Sequence, residues 1–226
     1  MKRRTLDLIL VAGGLVLAIL LAVLGLAVGS QATFATDYVA GELGAQKITF
    51  TEASKLSPEE TGWKAGSSCL VTYGGQLMQT GKQAECYAKY YIARHMDLAA
   101  TGAGFPGATY ATLGAIGSDL RTQVSAAKTK GDTTATADLQ KKVDSATSLR
   151  STMQTGETLR GLLLTTYGFS VMGELAGQAA NIVYGLAAIM LLLSGAGFVH
   201  AFVTPKEQIV FAPIGGVSKR TEPQAI

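Results

Sequence analysis

The chain has 226 residues, of which 48% are hydrophobic and only 15% are charged, and its formal net charge is +3. An ordinary soluble domain is about 25% charged, so this composition argues against a cytosolic enzyme, and its hydrophobicity excludes a disordered chain. Two cysteines are too few for a disulfide-dense scaffold, and two histidines leave little room for a histidine-rich metal site.

Two apolar runs are long enough to cross a membrane. Residues 8–28 carry no charge, and residues 182–203 contain His200 near their end. At about 1.5 Å per residue, each run spans the roughly 30 Å hydrocarbon core of a bilayer. We therefore predict transmembrane helices over 7–29 and 182–203. A cleaved signal peptide stays open for the first run, because a basic start precedes it, although the apolar core of a signal is normally shorter.

The charge distribution predicts the orientation. Three basic residues precede the first run and three follow the second, with fewer acidic ones, whereas the segment between them has as many acidic as basic residues. Lysine and arginine beside a span favour the cytoplasmic side. We predict a cell-membrane protein with cytoplasmic tails over 1–6 and 204–226, the second disordered, and an extracytoplasmic domain over 30–181. Because the excess positive charge lies in the tails, no nucleic-acid partner is expected.

Cys69 and Cys86 both lie in the predicted external domain. A pair of cysteines in an oxidising compartment is typical of a disulfide, so we predict a bond between them. The alternative is two buried free thiols, since free cysteine is often a core residue. Their spacing is far from the Cys-x-x-Cys pattern of redox and zinc sites.

The sequence of the first part of the external domain predicts a helical extension of the first span, followed by a small β element. Residues 30–44 continue the first span as a helix, with aromatic side chains near the membrane interface. Residues 47–51 alternate as a strand does, and Ser57 begins a single helical turn. Residues 69–78 predict a β hairpin, because two β-prone segments flank a pair of glycines.

Helices follow to the second span. A capping box at Thr80 begins a helix that glycines end near Gly102. Amphipathic spacing predicts two further helices over 107–129 and 133–154, joined by a tight turn, and a long last helix over 157–203. The expected fold class is therefore a mainly α membrane protein, in which two transmembrane helices flank an extracytoplasmic helical bundle with a small β hairpin.

Two glycine pairs have the spacing that favours helix pairing. Gly25 and Gly29 lie at the end of the first span, and Gly173 and Gly177 lie before the second. Small residues four apart let helix backbones approach closely. We take these four glycines as candidates for packing between the two long helices.

Residues that could carry catalysis are few. No nucleophile elbow, P-loop or zinc-protease motif is present. His95 lies near Tyr91 and Asp97, which makes this trio the best enzymatic alternative, but a lone histidine on a helix is more typical of a structural residue. His200 is close enough to a span end to reach the interface. We predict no catalytic, cofactor-binding or metal-binding residue.

A resemblance adds to this topology. The order of five short segments resembles a group of actinobacterial two-span membrane proteins. These segments are Ile48-Thr49-Phe50, a single cysteine, a tyrosine-glycine pair, the Thr-Gly-Lys-Gln-Ala helix start at 80–84 and the Leu-Arg-Gly-Leu-Leu-Leu helix at 159–164. The similar segments cover about half of the chain. Some members are labelled aromatic ring-opening dioxygenases, but two histidines on predicted opposite sides of a membrane cannot both bind one iron ion.

The functional expectation is a non-enzymatic, membrane-anchored interaction or accessory subunit of a larger membrane or cell-envelope complex. Its expected partners are membrane lipid and other membrane or envelope proteins, and a homo-oligomer stays open. The first alternative is an extracytoplasmic ligand-binding sensor that signals through a partner protein. The second is an enzyme that uses the residues around His95.

Overall fold

A computed structural model describes residues 3–203, so the predicted disordered tail at 204–226 lies outside the described residues. The protein is mainly helical and has two compact units. We call residues 3–31 with 176–203 the helix-pair unit and residues 32–175 the central unit. The α-helices of the described chain are α1 (Arg3–Ala45), α2 (Pro58–Thr61), α3 (Cys69–Thr72), α4 (Gly81–Cys86), α5 (Ala93–Gly102), α6 (Tyr110–Thr129) and α7 (Thr133–Val203).

Helices α1 and α7 are both long and apolar enough to cross a membrane. In the most apolar window of each helix, only 11% of the residues are buried. The core helix of a soluble protein would be mostly buried, so this low value distinguishes both helices from that class. Large side chains such as Leu20, Leu26 and Leu192 remain exposed.

Small residues line the contact between the two helices of the helix-pair unit. Gly14 lies against Ser194, and Gly25 lies under the ring of Tyr184. A Cβ atom added at Gly25 would come within 2.8 Å of the ring carbon Cε1 of Tyr184. Because glycine has no such atom, the Tyr184 ring packs directly against the backbone of α1.

The first part of the central unit corrects the predicted β hairpin over 69–78. Residues 69–72 form the helical turn α3, and no strand forms anywhere within residues 3–203. The extended segment 76–78 pairs instead with 48–50, through an isolated antiparallel bridge between Thr49 and Leu77. Gly75 turns the chain at a φ of +73°, a conformation that favours glycine.

Tertiary pairing explains this correction. The backbone N–H of Phe50 donates to the Gln76 carbonyl, and that of Met78 donates to the Ile48 carbonyl. The extended segment 76–78 therefore pairs with a segment that is distant in sequence. Residues 69–72 form their backbone hydrogen bonds locally, within a helical turn. The turn buries Leu70, so its helical form gains apolar burial that outweighs the β preference of its residues.

The helices after residue 80 match most of the sequence expectations. Capping boxes at Thr80 and Thr109 begin α4 and α6, and α5 ends at Gly102. The predicted break between two helices near residue 155 does not form: α7 continues through Gly156 as one helix. A glycine inside a helix costs only about 1 kcal/mol. Here it also admits Met96, whose Sδ atom would lie 2.6 Å from a Cβ atom at this position.

The apolar core of the central unit contains residues from both the start and the end of that unit's sequence. The predicted apolar faces of α6 and α7 are confirmed, since Leu113, Leu120, Val143 and Met153 are buried. They share one apolar cluster with residues from α1, the bridged segments and α5. Its other buried members include Val39, Leu43, Phe50, Leu70, Met78, Ile92, Met96, Val124, Leu149 and Leu163.

Candidate functional site

A disulfide joins two short helices of the central unit, α3 and α4. Cys69 in α3 is bonded to Cys86 at the end of α4, which confirms the predicted pairing. The alternative of two free thiols is therefore excluded. The bond ties the α3 turn to the helix that carries the candidate site, so α3 and the bridged segments brace this helix from one side.

Between α4 and α5 the helix widens into a π segment, Tyr87–Ile92. Such segments are rare and are frequent at functional sites. A π turn holds more residues than an α turn, so side chains four apart lie more nearly above one another. The rings of Tyr87 and Tyr91 stack with centroids 4.5 Å apart, and the ring of His95 follows 4.2 Å from Tyr91. We call these three side chains the ring ladder.

Hydrogen bonding fixes the chemistry at the exposed end of the ring ladder. The Nδ1 atom of His95 lies 2.9 Å from the backbone oxygen of Tyr91. A carbonyl oxygen can only accept, so Nδ1 carries the hydrogen atom of this bond. In the neutral ring Nε2 is then an acceptor. The ladder therefore ends on a side chain that can accept a hydrogen bond from a ligand.

The ring ladder borders a groove of about 530 Å³ between α5 and α7. Buried Ile92 and Met96 form its apolar base. Its volume lies within the range of about 300–1,000 Å³ that is typical of small-molecule sites. The facing side of α7 contributes Ser151, Thr152, Thr155, Gly156 and Leu159. The groove combines flat aromatic faces with hydroxyl groups on its rim.

Burial raises the pKa of Tyr87, the first residue of the ring ladder. Burial of the Tyr87 hydroxyl, followed by its neighbour Tyr91, raises the pKa of Tyr87 from 10.0 to about 12. An unfolded tyrosine ionises near pH 10, so the folded state holds this proton more tightly. The stabilisation is complete below pH 10 and is lost as the pH rises through about 12.

We expect the Tyr87→Phe variant to lose this pH dependence. In the wild type, the free energy of unfolding falls between pH 10 and about pH 12, because the unfolded chain ionises first. Urea unfolding at several pH values, followed by the fluorescence of Trp63, measures this decline. Tyr38→Phe, at an exposed ring, is the matched control and keeps it. An equal decline in Tyr87→Phe would assign the effect to other groups.

The three residues of the enzymatic alternative do not come together. Tyr91 and His95 belong to the ring ladder, whereas Asp97 does not line the groove. Its carboxylate lies 3.5 Å from the Arg94 guanidinium instead. Across the part of the chain that the structure describes, no group of three His, Cys, Asp or Glu side chains could bind a metal ion.

The glycine candidates occupy different places. Gly25 and Gly29 lie at the α1–α7 contact of the helix-pair unit, where a Cβ atom at Gly29 would be 3.6 Å from Ala180. Gly177 is partly buried in the same unit. Gly173 belongs to the central unit, where a Cβ atom would lie 2.7 Å from that of Ala35. Whether these contacts serve a function stays a prediction.

A second feature of the central unit is an exposed apolar band. Its members are Phe34, Tyr38, Leu162, Phe169 and Met172, and all are more than one third exposed. The rings of Phe34 and Tyr38 stack, and Tyr38 contacts Phe169 edge to face with centroids 6.2 Å apart. Leu162 and Met172 are 63% and 66% exposed. Clusters of exposed apolar side chains mark sites of contact with proteins or membranes.

The sequence analysis placed His95 near Tyr91 but did not predict the ring ladder that Tyr87 completes. The signal that could have found it is the spacing of three rings at intervals of four residues. No glycine or proline marks the π segment, so its position was not visible in the sequence.

No family model matches the chain, and no curated protein or solved structure matches it either. The resemblance to actinobacterial two-span proteins therefore stays a prediction.

Proposed function

We propose that this protein is a two-span membrane protein that acts as a non-enzymatic interaction or accessory subunit of a larger membrane or cell-envelope complex. Both tails lie in the cytoplasm and the central unit lies on the opposite side. The basic tails support this orientation, because lysine and arginine favour the cytoplasmic side of a span. A disulfide in the central unit is consistent with an oxidising compartment.

The apolar band carries the proposal of an interaction subunit. Leu162, Phe169 and Met172 follow one another at intervals of seven and three residues, which places them along one face of α7. Burying a large apolar side chain contributes about 1.5–3 kcal/mol, so leaving several exposed on one face is costly. A partner protein that covers this face recovers that free energy. Other membrane or envelope proteins are the expected occupants, beside the lipid around the spans.

A photo-crosslinking side chain tests this proposal in cells that make the full chain. Placed at Leu162 or at Met172, it is expected to give one dominant adduct with the same second protein. The control position is Ser148, an exposed polar residue on the same helix, and no such adduct forms there. Adducts with lipid alone, or the same adducts from Ser148, would contradict an interaction surface at the apolar band.

A ligand-binding sensor is the second candidate, and the groove beside the ring ladder favours it. Stacked rings offer a flat face to planar apolar molecules, and Nε2 of His95 can accept a hydrogen bond from them. Anything that binds the folded state alone raises the melting temperature. The signal would then pass through a partner protein.

Thermal unfolding with indole and naphthalene derivatives tests the sensor candidate. At a concentration of about 100 times Kd, a true ligand stabilises the wild type by about 2.7 kcal/mol. Tyr91→Ala removes the middle of the ring ladder and is expected to abolish the shift. Leu98→Ala, at an exposed position of the same helix, keeps it. A panel without any shift in the wild type would count against this candidate.

A further inference from the structure

A second cavity lies between α6 and α7, on the part of the central unit that forms their hairpin. It has a volume of about 200 Å³ and is lined by two arginines, Arg121 and Arg150, together with Tyr110. None of its lining residues is acidic. Ser151 and Gln154 add a hydroxyl and an amide at its rim. The cavity therefore combines positive charge with neutral hydrogen-bonding groups.

The guanidinium groups lie beside two glycines of α6, at distances where an added Cβ atom would make ordinary van der Waals contact. A Cβ atom at Gly114 would lie 3.8 Å from Nε of Arg150, and one at Gly117 would lie 3.7 Å from Nη1 of Arg121. Both guanidinium groups thus lie directly over helix positions that have no side chain. The result is a recess in the surface of α6, with one arginine over each glycine.

Arg150 is held in place by Tyr110. Its Nε atom donates to the Tyr110 backbone oxygen at 3.4 Å, and its guanidinium carbon lies 4.3 Å from the centroid of the Tyr110 ring. A guanidinium has five N–H donors, so four remain on its two terminal nitrogens. This contact orders the side chain before any ligand binds, which reduces the entropy that binding would cost.

The two arginines lack an internal counter-charge. Among residues 3–203, neither guanidinium has a carboxylate oxygen within 4.0 Å, although other arginines there do, as Arg160 does with Glu157. The segment between the spans has as many acidic as basic residues, so a local pair of unpaired cations is not a consequence of composition. An anion is the ligand that this arrangement favours.

We propose that the recess between Arg121 and Arg150 binds the phosphate group of a small phosphate monoester. A monoester carries a charge of about −1.5 to −2 at pH 7 and three strong acceptor oxygens, enough to bond both guanidiniums at once. A single carboxylate has one charge and two oxygens. Arginine forks match phosphate geometry and form charge-assisted hydrogen bonds. The cavity is smaller than a typical drug-sized site, which restricts the organic part to a few atoms.

This proposal is independent of the interaction subunit. No member of the apolar band lines the cavity, and the ring ladder does not line it either. A failed phosphate experiment therefore leaves the crosslinking result unchanged, and the reverse also holds.

Calorimetric titration of the full-length protein in a mild detergent tests the site with glycerol 3-phosphate at fixed ionic strength. We expect saturable binding in the wild type. Arg121→Gln and Arg150→Gln should each weaken it by about 10- to 100-fold, as expected for hydrogen bonds to a charged group. Lys142→Gln removes an exposed charge of the same hairpin and should change the affinity less than twofold. Gly114→Leu fills the recess without a change in charge and should also abolish binding.

Further arms distinguish the source and the class of the ligand. If the monoester is a lipid headgroup, micelles that contain phosphatidic acid bind, phosphatidylcholine micelles do not, and Arg150→Gln abolishes the difference. Binding from either source that depends on both arginines supports the site. Succinate that binds as tightly as the monoesters would overturn the phosphate class. Absence of binding from both sources, or equal binding in Arg150→Gln and the wild type, would overturn the site itself.

Discussion

Removing the disulfide with the double substitution Cys69→Ala and Cys86→Ala is expected to lower the free energy of unfolding of the central unit by about 3 kcal/mol. The two cysteines are 17 residues apart in sequence, so the bond closes a short loop. The cross-link restricts the unfolded chain, and its loss restores that conformational entropy. Urea unfolding of the full-length protein in detergent, followed by the fluorescence of Trp63, measures the change.

Reduction supplies the control for this prediction. A thiol reductant should destabilise the wild type by the same amount and leave the double variant unchanged, because the variant has no bond to reduce. The α3 turn, which Cys69 begins, should also exchange its amide hydrogens faster in the variant. A stability equal to that of the oxidised wild type would show that the bond does not brace this unit.

The second large effect is expected from Phe50→Ala, at about 3–5 kcal/mol of destabilisation. Phe50 is only 3% exposed, and its ring centroid lies 5.5 Å from that of Tyr73 and 5.4 Å from that of Tyr87. Its removal leaves a cavity beneath the ring ladder. Besides the loss of stability, the pKa of Tyr87 should fall toward its ordinary value, because water then reaches the hydroxyl more easily.

Leu98→Ala is the control for Phe50→Ala. Leu98 is 47% exposed on α5, so its truncation should change the free energy of unfolding by less than about 0.5 kcal/mol. Similar losses in the two variants would mean that the central unit is not organised around the apolar cluster that contains Phe50.

The long helices of this fold and their buried faces could be predicted from its sequence. Uninterrupted apolar runs predicted both long apolar helices, and amphipathic spacing predicted the buried faces of α6 and α7. Side-chain capping at Thr80 is a local interaction, so the start of α4 follows from a few residues, whereas α6 begins at Tyr110, after Thr109, and not at the predicted residue 107. The cysteine pair was predicted from the compartment that the charges imply.

The errors concern features that depend on distant contacts. Residues 69–72 have β-prone side chains, but their expected partner at 76–78 pairs with 48–50. The predicted break between 154 and 157 does not form, and the close contact with Met96 explains why a glycine stands at 156 inside α7. Arg121 and Arg150 are 29 positions apart in sequence, so it is the α6–α7 hairpin that brings them to one cavity.

The most direct test of the interaction subunit is the composition of the complex purified from native membranes. A tagged full-length chain, extracted in a mild detergent, should carry a second membrane or envelope protein in a fixed molar ratio, as mass spectrometry and light scattering measure. The double substitution Leu162→Ser and Met172→Ser should release this partner, whereas Ser148→Thr should not. A wild-type preparation that holds this chain alone, as a monomer or as an oligomer of itself, would contradict the proposed function.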